Sequence, residues 1–239
     1  GQTKAKVITI ADDCNVLQLT AGDGGEHEHE HGHAEHGTAA SEPSHEAHHS
    51  DVNPHTWVSP RQAAREVRTL ARKLGEVDRT HTDQYRKNGE AYAARIEALA
   101  DKMESAARGF KNRNIVTGHA AFDYLARDLG LNVVATLHIV PGETGSASEM
   151  AHIIDTIRKT HAAAVFQEPP FSDKMADTIA RDAGVPMYPL NPLNSDAGLP
   201  KPKTVEDARR MYEEAMLQNL ATLQQALGTT TTTRPASSH

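Results

Sequence analysis

The amino-acid sequence predicts an α/β protein in which two βα lobes with mostly parallel sheets are joined by a long rigid helix. From residue 114 onward, short β-like runs alternate with helical segments, which is the pattern of βαβ units around a parallel sheet. Before them lies a long helical segment that is charged over most of its surface, as expected of a helix that bridges two lobes. The 239 residues suffice for one to two domains with a real core.

The N-terminal part predicts one strand and one disordered loop. Residues 6–10, Lys-Val-Ile-Thr-Ile, are rich in β-branched side chains and run into an acidic turn, so we expect a strand there. Residues 21–50 consist of Gly, Glu, His, Ala and Ser with almost no apolar bulk, a composition typical of disorder. The single cysteine, Cys14, excludes a disulfide within the chain.

Two helices are expected next. Ser59 is a good N-cap and Pro60 a good first helical residue, so a helix should begin there and run to about Gly75. Its apolar positions recur every three or four residues, at Ala63, Val67, Leu70, Ala71 and Leu74. After a turn near 78–80, a second and longer helix should end near Gly109. Its apolar face comprises Tyr85, Tyr92, Ile96, Leu99 and Met103.

The C-terminal half predicts four strands and four helices. The strands are expected at 115–117, 133–137, 163–167 and 187–190, and the helices at about 120–129, 148–160, 172–183 and 205–227. These elements divide the chain into the remainder of an N-terminal lobe (1–79), a linker helix (80–109), a C-terminal α/β lobe (110–228) and a disordered tail (229–239).

Charge, hydropathy and histidine content indicate which kinds of partner the protein could bind. The net charge of −7 argues against a nucleic-acid or anionic-membrane surface, and no apolar run approaches the roughly 20 residues of a membrane span. Eight of the fifteen histidines lie within 23 residues, at His27, His29, His31, His33, His36, His45, His48 and His49. Because carboxylates alternate with them, we interpret this stretch as an accessory metal-collecting loop; the alternative is a solubilising spacer.

Two isolated histidines are the main candidates for a metal site. His55 follows Pro54 in a rigid turn, where the alternative is a histidine that bonds to backbone. His119 follows a predicted strand through Gly118, which places it at the edge of a parallel sheet where ligands bind; the alternative is a helix cap. Two imidazoles with oxygen ligands nearby suit Zn(II).

Oxygen ligands are available at the ends of the neighbouring strands. Glu168 follows one strand and could bind metal, orient a ligand histidine or pair with an arginine. Asn191 follows the next strand, and Asp196 lies a few residues beyond it. Three of the other histidines, His138, His152 and His161, are expected to be structural or exposed to solvent.

The ordered motifs resemble a known family. After the histidine-rich loop come Asn-Pro-His-Thr-Trp-Val-Ser-Pro at 53–60, Gly-His-Ala-Ala-Phe-Asp-Tyr at 118–124, Gln-Glu-Pro-Pro-Phe at 167–171 and Leu-Asn-Pro-Leu at 190–193. From about residue 6 to 227, this order resembles the zinc-binding solute-binding proteins of bacterial ABC importers (cluster A-I, or cluster 9). The resemblance implies Zn(II) in a cleft between two lobes, with His55 and His119 as ligands. It favours a Glu168 that contacts a ligand histidine over a Glu168 that itself binds the metal.

The same resemblance implies partners and a location. It implies a monomeric extracytoplasmic receptor, periplasmic or membrane-anchored, that delivers zinc to a membrane permease and can work with an accessory metallochaperone. At two points the sequence departs from the family pattern: Asn191 stands where the family usually has Asp, and no early His-Pro-His motif precedes His27. We therefore expect that the first lobe is incomplete, that one ligand is missing and that metal binds less tightly than in an intact member.

Three alternatives stay open at this point. A receptor for Mn(II) or Fe(II) would use the same scaffold, although manganese favours more carboxylate ligands. A zinc-dependent hydrolase would use Glu168 as a base, but the chain has no His-Glu-x-x-His helix and no Gly-x-Ser-x-Gly or phosphate-binding loop. A scaffold or adhesin with an incidental cleft is the third. We therefore predict a binding protein and not an enzyme.

Overall fold

The computed structural model describes residues 6–19, 52–137, 146–168, 174–194 and 202–228. The helices are α1 (Pro60–Val77), α2 (Thr82–Ala107), α3 (Asp123–Leu129), α4 (Ala147–Thr160), α5 (Lys174–Ala183) and α6 (Val205–Leu227). The strands are β1 (Asn114–Thr117), β2 (Asn132–Thr136), β3 (Val165–Gln167) and β4 (Met187–Pro189). Each predicted helix from residue 59 onward and each predicted strand from residue 114 onward is present, with ends within two or three residues of those expected.

The four strands form one parallel sheet in the order β2-β1-β3-β4. In the register, Ile115 lies beside Val133, Val116 beside Val165, and Phe166 beside Tyr188. Because all four strands run in the same direction, their carboxyl ends share one edge. The predicted α/β class, with a parallel sheet and a long helix, is confirmed.

Helices cover both faces of this sheet. Successive residues of a strand point to opposite faces, so Ile115 and Phe166 enter one apolar cluster while Val116 and Val165 enter the other. The first cluster is completed by α2, α3 and α6, and the second by α4 and α5. A parallel sheet buried on both faces holds its strand ends at fixed relative positions.

Helix α1 begins as predicted, but its buried surface extends beyond the predicted apolar stripe, of which Ala63 is buried. The Ser59 hydroxyl accepts a hydrogen bond from the Gln62 N–H at 3.1 Å, and Pro60 is the first helical residue. Leu70, expected in the apolar stripe, is 37% exposed, whereas Gln62 and Glu66 are buried. The polar face is buried because it has partners: Gln62 accepts from the Asn15 N–H at 2.8 Å, and Glu66 accepts from the Thr56 hydroxyl.

The long helix α2 packs along α1 and also reaches α6. Its first turns are exposed, while Ile96, Leu99 and Met103 in its second half are buried. Arg95 joins it to α6 through ion pairs with Glu206 and Glu213 at 3.1 and 2.9 Å. α2 therefore contacts both the N-terminal helix and the α/β part of the molecule.

The strand predicted at residues 6–10 is wrong. Residues 6–9 have no regular structure, Val7 is 88% exposed, and a short 3₁₀ turn follows at Ala11–Asp13. A strand needs a hydrogen-bonded neighbour, and among the described residues this region offers only an isolated antiparallel bridge between Gln18 and Val52. The predicted loop at 21–50 and tail at 229–239 lie outside the described residues.

No helix in the described part of the chain is long and apolar enough to cross a bilayer.

Candidate metal centre

His119 and Glu168 occupy neighbouring positions at the carboxyl edge of the sheet. β1 ends at Thr117. Just beyond it, the Gly118 N–H donates to the carbonyl of Phe166 at 3.0 Å, so the segment that follows β1 stays paired with β3. His119 follows on β1 and Glu168 follows on β3. As a result, Nδ1 of His119 forms an ion-pair contact with the buried carboxylate of Glu168.

His55 comes from a separate segment, a turn that precedes α1. Asn53 forms this turn, because its Oδ1 accepts from the His55 backbone N–H at 3.0 Å and contacts Nδ1 of the same imidazole at 2.9 Å. The amide nitrogen of Asn53 donates to the Ala120 carbonyl at 2.8 Å and to Asp123 at 3.2 Å. Two acceptors on that side fix the orientation of the amide, so its oxygen faces His55.

The two imidazoles meet edge to edge. Nε2 of His55 lies 3.4 Å from Nε2 of His119, and the ring centroids are 5.0 Å apart. Each Nδ1 faces an oxygen acceptor, an arrangement that favours the tautomer with the proton on Nδ1 and a lone pair on the Nε2 that faces the gap. Two nitrogens bound tetrahedrally to zinc at about 2.0–2.1 Å are separated by about 3.3–3.4 Å, which matches this gap.

The surroundings of His55 favour its neutral, metal-binding form. Burial lowers the pKa of His55, the nearby His119 lowers it further, and Glu168 acts in the opposite direction. Because the imidazole nitrogen that binds a metal must be unprotonated, the lowered pKa of His55 reduces the competition between protons and a metal ion at this ring.

The other predicted oxygen ligands are not brought to this gap by the described contacts. The side-chain oxygen of Asn191 accepts from the Leu193 N–H at 2.8 Å, and its backbone pairs with Asn219 of α6. Asp196, His138 and the eight loop histidines lie outside the described residues. Within the described ranges, no group of three or more His, Cys, Asp or Glu side chains has the geometry to hold a metal.

Three described histidines lie outside the centre, and one of them, His81, contacts Asp78 through Nδ1 at 2.7 Å. His152 is exposed on α4, and His161 is exposed at the end of that helix in the left-handed conformation (φ 52°).

Sequence reasoning missed three side chains around His55. Asn53 was detectable, because an Asn two residues before a backbone donor is typical of an Asx turn. Trp57 was not, since its indole N–H donates to the Pro192 carbonyl at 2.9 Å, a partner 135 positions away. Tyr124, whose hydroxyl donates to the Asn53 carbonyl at 2.6 Å, is also a distant partner.

The fold is thus a parallel α/β sheet with a histidine at its carboxyl edge, opposed by a second histidine from a separate segment, and these two imidazoles could bind one metal ion. Residues 1–226 match the family model described as "Zinc-uptake complex component A periplasmic". The chain belongs to this family, which confirms the resemblance seen in the sequence.

The relatives agree with this assignment. The zinc-binding lipoprotein AdcA of Streptococcus pneumoniae is 32% identical over 224 residues, which cover 93% of this chain and 41% of that protein. The high-affinity zinc uptake system protein ZnuA of Bacillus subtilis is 31% identical over 176 residues, 74% of this chain and 54% of that protein. The Zn(II)-bound E280Q variant of AdcAII from S. pneumoniae superimposes with a TM-score of 0.67 at 26% identity, covering 93% and 70% of the two chains. The chain thus spans about half or less of the curated relatives it matches.

Proposed function

We propose that this chain captures Zn(II) between His55 and His119, as part of a receptor that delivers the ion to the membrane permease of an ABC importer. The observation that carries the proposal is the pair of Nε2 atoms 3.4 Å apart, each with its Nδ1 engaged by an acceptor. The zinc-binding relatives support zinc as the cargo.

In this proposal the two imidazoles bind the metal, and Glu168 contacts His119 on the side of the ring away from the metal. The carboxylate of Glu168 contacts Nδ1 of His119, and an anionic partner on that side of the ring would make Nε2 a more basic ligand. Asn191, Asp196 and the histidines of residues 27–49 are the proposed sources of further ligands or of accessory weak sites.

The location and partners follow from the family. A family described as periplasmic, and a relative described as a lipoprotein, support a receptor outside the cytoplasmic membrane, either free or anchored. That this receptor acts as a monomer is part of the proposal. An accessory metallochaperone is a further proposed partner. The proposed division is an N-terminal part to residue 79, a linker helix at 80–109, a C-terminal lobe at 110–228 and a tail.

The geometry supports zinc over the alternatives. Manganese favours a site richer in carboxylate, whereas the two nitrogens here suit zinc. In a hydrolase, Glu168 would have to act as the base, but its carboxylate is in contact with Nδ1 of His119. We therefore propose a binding protein.

The test is a zinc titration by calorimetry on the full chain and on a variant lacking residues 26–49. We expect the deletion to remove weak sites and to leave one tighter site. His55→Ala and His119→Ala should each weaken that site by more than the 10–100-fold typical of residues that only support a ligand. His152→Ala, at an exposed position of α4, is the matched control.

Two results would contradict the proposal. One is unchanged affinity in both histidine variants, and the other is loss of all binding on deletion of residues 26–49. Competition between Zn(II) and Mn(II) on the deleted variant decides between the two cargoes.

A further inference from the structure

Asn53 connects the two segments that carry the histidines. It is fully buried, with 0% exposure. Its backbone N–H donates to the Leu17 carbonyl at 2.9 Å, and its carbonyl accepts from Tyr124 at 2.6 Å. Its amide nitrogen donates to the carbonyl of Ala120, the residue after His119. Its amide oxygen accepts from the backbone N–H of His55 and lies 2.9 Å from Nδ1 of the imidazole. One side chain thus contacts both turns of the metal centre.

The chemistry of this amide determines the tautomer of His55. If the proton were on Nε2, the Nδ1 lone pair would face the Asn53 oxygen at 2.9 Å, and the two would repel. The amide cannot rotate to offer its nitrogen instead, because that nitrogen would lose Ala120 and Asp123 as acceptors. A buried amide that loses its hydrogen-bond partners is disfavoured, because it has also lost its contact with water.

We propose that Asn53 is a positioning residue of the metal centre. It holds His55 with its proton on Nδ1, and it holds the turn of His55 against Ala120, so that the two Nε2 atoms face each other before any metal binds. This inference rests on the proposed function only where it assigns His55 and His119 as ligands.

Asn53 and Glu168 act on different histidines in the same way. Each presents an oxygen to an Nδ1 atom, but Glu168 is a carboxylate and Asn53 is a neutral amide. An Asp at position 53 would keep the acceptor for His55, lose the donor to Ala120 and place a second carboxylate beside Asp123. Asn53→Asp therefore separates the tautomer effect from the link between the two turns.

The first measurement is the tautomer of His55 in the metal-free full chain, by long-range ¹H–¹⁵N correlation NMR at about pH 8, where a histidine with an ordinary pKa is neutral. Signals of His55 are assigned by their loss in His55→Gln. We expect the Nδ1–H form in the wild type and in Asn53→Asp, and a shift toward Nε2–H in Asn53→Ala. Asn114→Ala, which removes two side-chain hydrogen bonds at the opposite edge of the sheet, should leave the tautomer unchanged.

The second measurement is zinc affinity, by competition with a chelator. We expect Asn53→Ala to weaken binding by about 10–100-fold and Asn114→Ala to leave it unchanged. Asn53→Asp should also bind zinc more weakly, although its tautomer is retained, because the link to Ala120 is lost.

The outcomes separate this inference from the proposed function. If the wild type shows the Nε2–H form, or if Asn53→Ala keeps both tautomer and affinity, Asn53 does not position His55. If Asn53→Ala does not fold, the Nε2–H form in Asn53→Asp would overturn the inference equally well. If the wild type binds no zinc through His55 and His119, the proposed function fails, yet the tautomer still decides what Asn53 does.

Discussion

At the residue scale, the two histidines differ in how they are held. His119 contacts a carboxylate from the neighbouring strand end, whereas His55 contacts a neutral amide two residues before it in the chain. In both arrangements Nδ1 faces an oxygen and Nε2 faces the other histidine. The difference predicts that the anionic partner contributes more to the basicity of its histidine than the amide does.

Replacing Glu168 by Gln tests that contribution. The neutral amide of Gln occupies the same space, but it removes the negative charge beside His119. We therefore expect zinc affinity to fall by about 10-fold or more. Calorimetric titration measures it. Glu214→Gln, at an exposed position of α6, is the control and should change nothing. Equal affinity in Glu168→Gln and the wild type would show that the carboxylate does not support the site.

Glu66 offers a second test at this scale, on stability. Burial raises the pKa of this carboxyl above its ordinary value, and the bond from the Thr56 hydroxyl opposes the shift only in part. The folded state therefore holds the proton more tightly than the unfolded state, and the carboxyl costs stability as pH rises through the folded pKa. Gln at this position avoids the buried charge and still accepts from Thr56.

We expect Glu66→Gln to be more stable than the wild type near neutral pH and equal to it below the ordinary pKa of 4.5. Urea denaturation of both chains at the two pH values measures the difference. A variant that is less stable at neutral pH would mean that the bond from Thr56 outweighs the cost of burying the charge.

At the scale of elements, the distance between α1 and α2 depends on one close contact between the two helices. A Cβ added at Gly89 of α2 would lie 2.4 Å from the Cβ of Ala71 in α1 and 3.5 Å from the Val67 carbonyl. Real Cβ atoms do not approach that closely, so the helices pack at their present separation only because position 89 lacks a side chain.

Gly89→Ala is therefore expected to destabilise the protein, although alanine is intrinsically more favourable than glycine within a helix. The preference is worth about 1 kcal/mol in favour of Ala, whereas overpacking costs about 1–3 kcal/mol. In the double variant Gly89→Ala with Ala71→Gly, the methyl group changes sides and stability should return close to the wild type. Chemical denaturation of all four chains gives the coupling, and additive effects would contradict the close approach.

At the scale of the whole molecule, Trp57 joins the N-terminal segment to the C-terminal part. Its ring lies 5.4 Å from that of His55, its indole donates to the Pro192 carbonyl, and its own carbonyl accepts from the hydroxyl of Tyr212 in α6. The turn that carries His55 is therefore attached at two points to elements far along the chain.

Because Trp57 is the single tryptophan, its fluorescence should report zinc binding. An ion bound at His55 would alter the surroundings of an indole this close to the imidazole. We expect a saturable change in emission with the same midpoint as the calorimetric titration, and no such change in His119→Ala. A full fluorescence change in that variant would place the bound zinc elsewhere.

Much of the fold was predictable because its signals are local. Ser59 and Pro60 mark the start of α1, and alternation of strands and helices marks the parallel sheet, since periodicity and capping depend on near neighbours. The strand predicted at residues 6–10 failed because β-branched residues do not supply the neighbouring strand that they need. Leu70 was misplaced because partners from other segments, not periodicity, determine which face of α1 is buried.

For the candidate metal centre too, some features could be predicted from local sequence and others depend on the tertiary structure. By itself, the sequence identified the family to which the chain belongs and predicted that His55, His119 and Glu168 lie together, because motif order and position after a strand can be read along the chain. Only the tertiary structure decided that His55 and His119, 64 positions apart, bring their Nε2 atoms to 3.4 Å, and that Asn53 links their turns. Which distant groups meet depends on packing and hydrogen bonding across the whole molecule, and no local pattern contains that information.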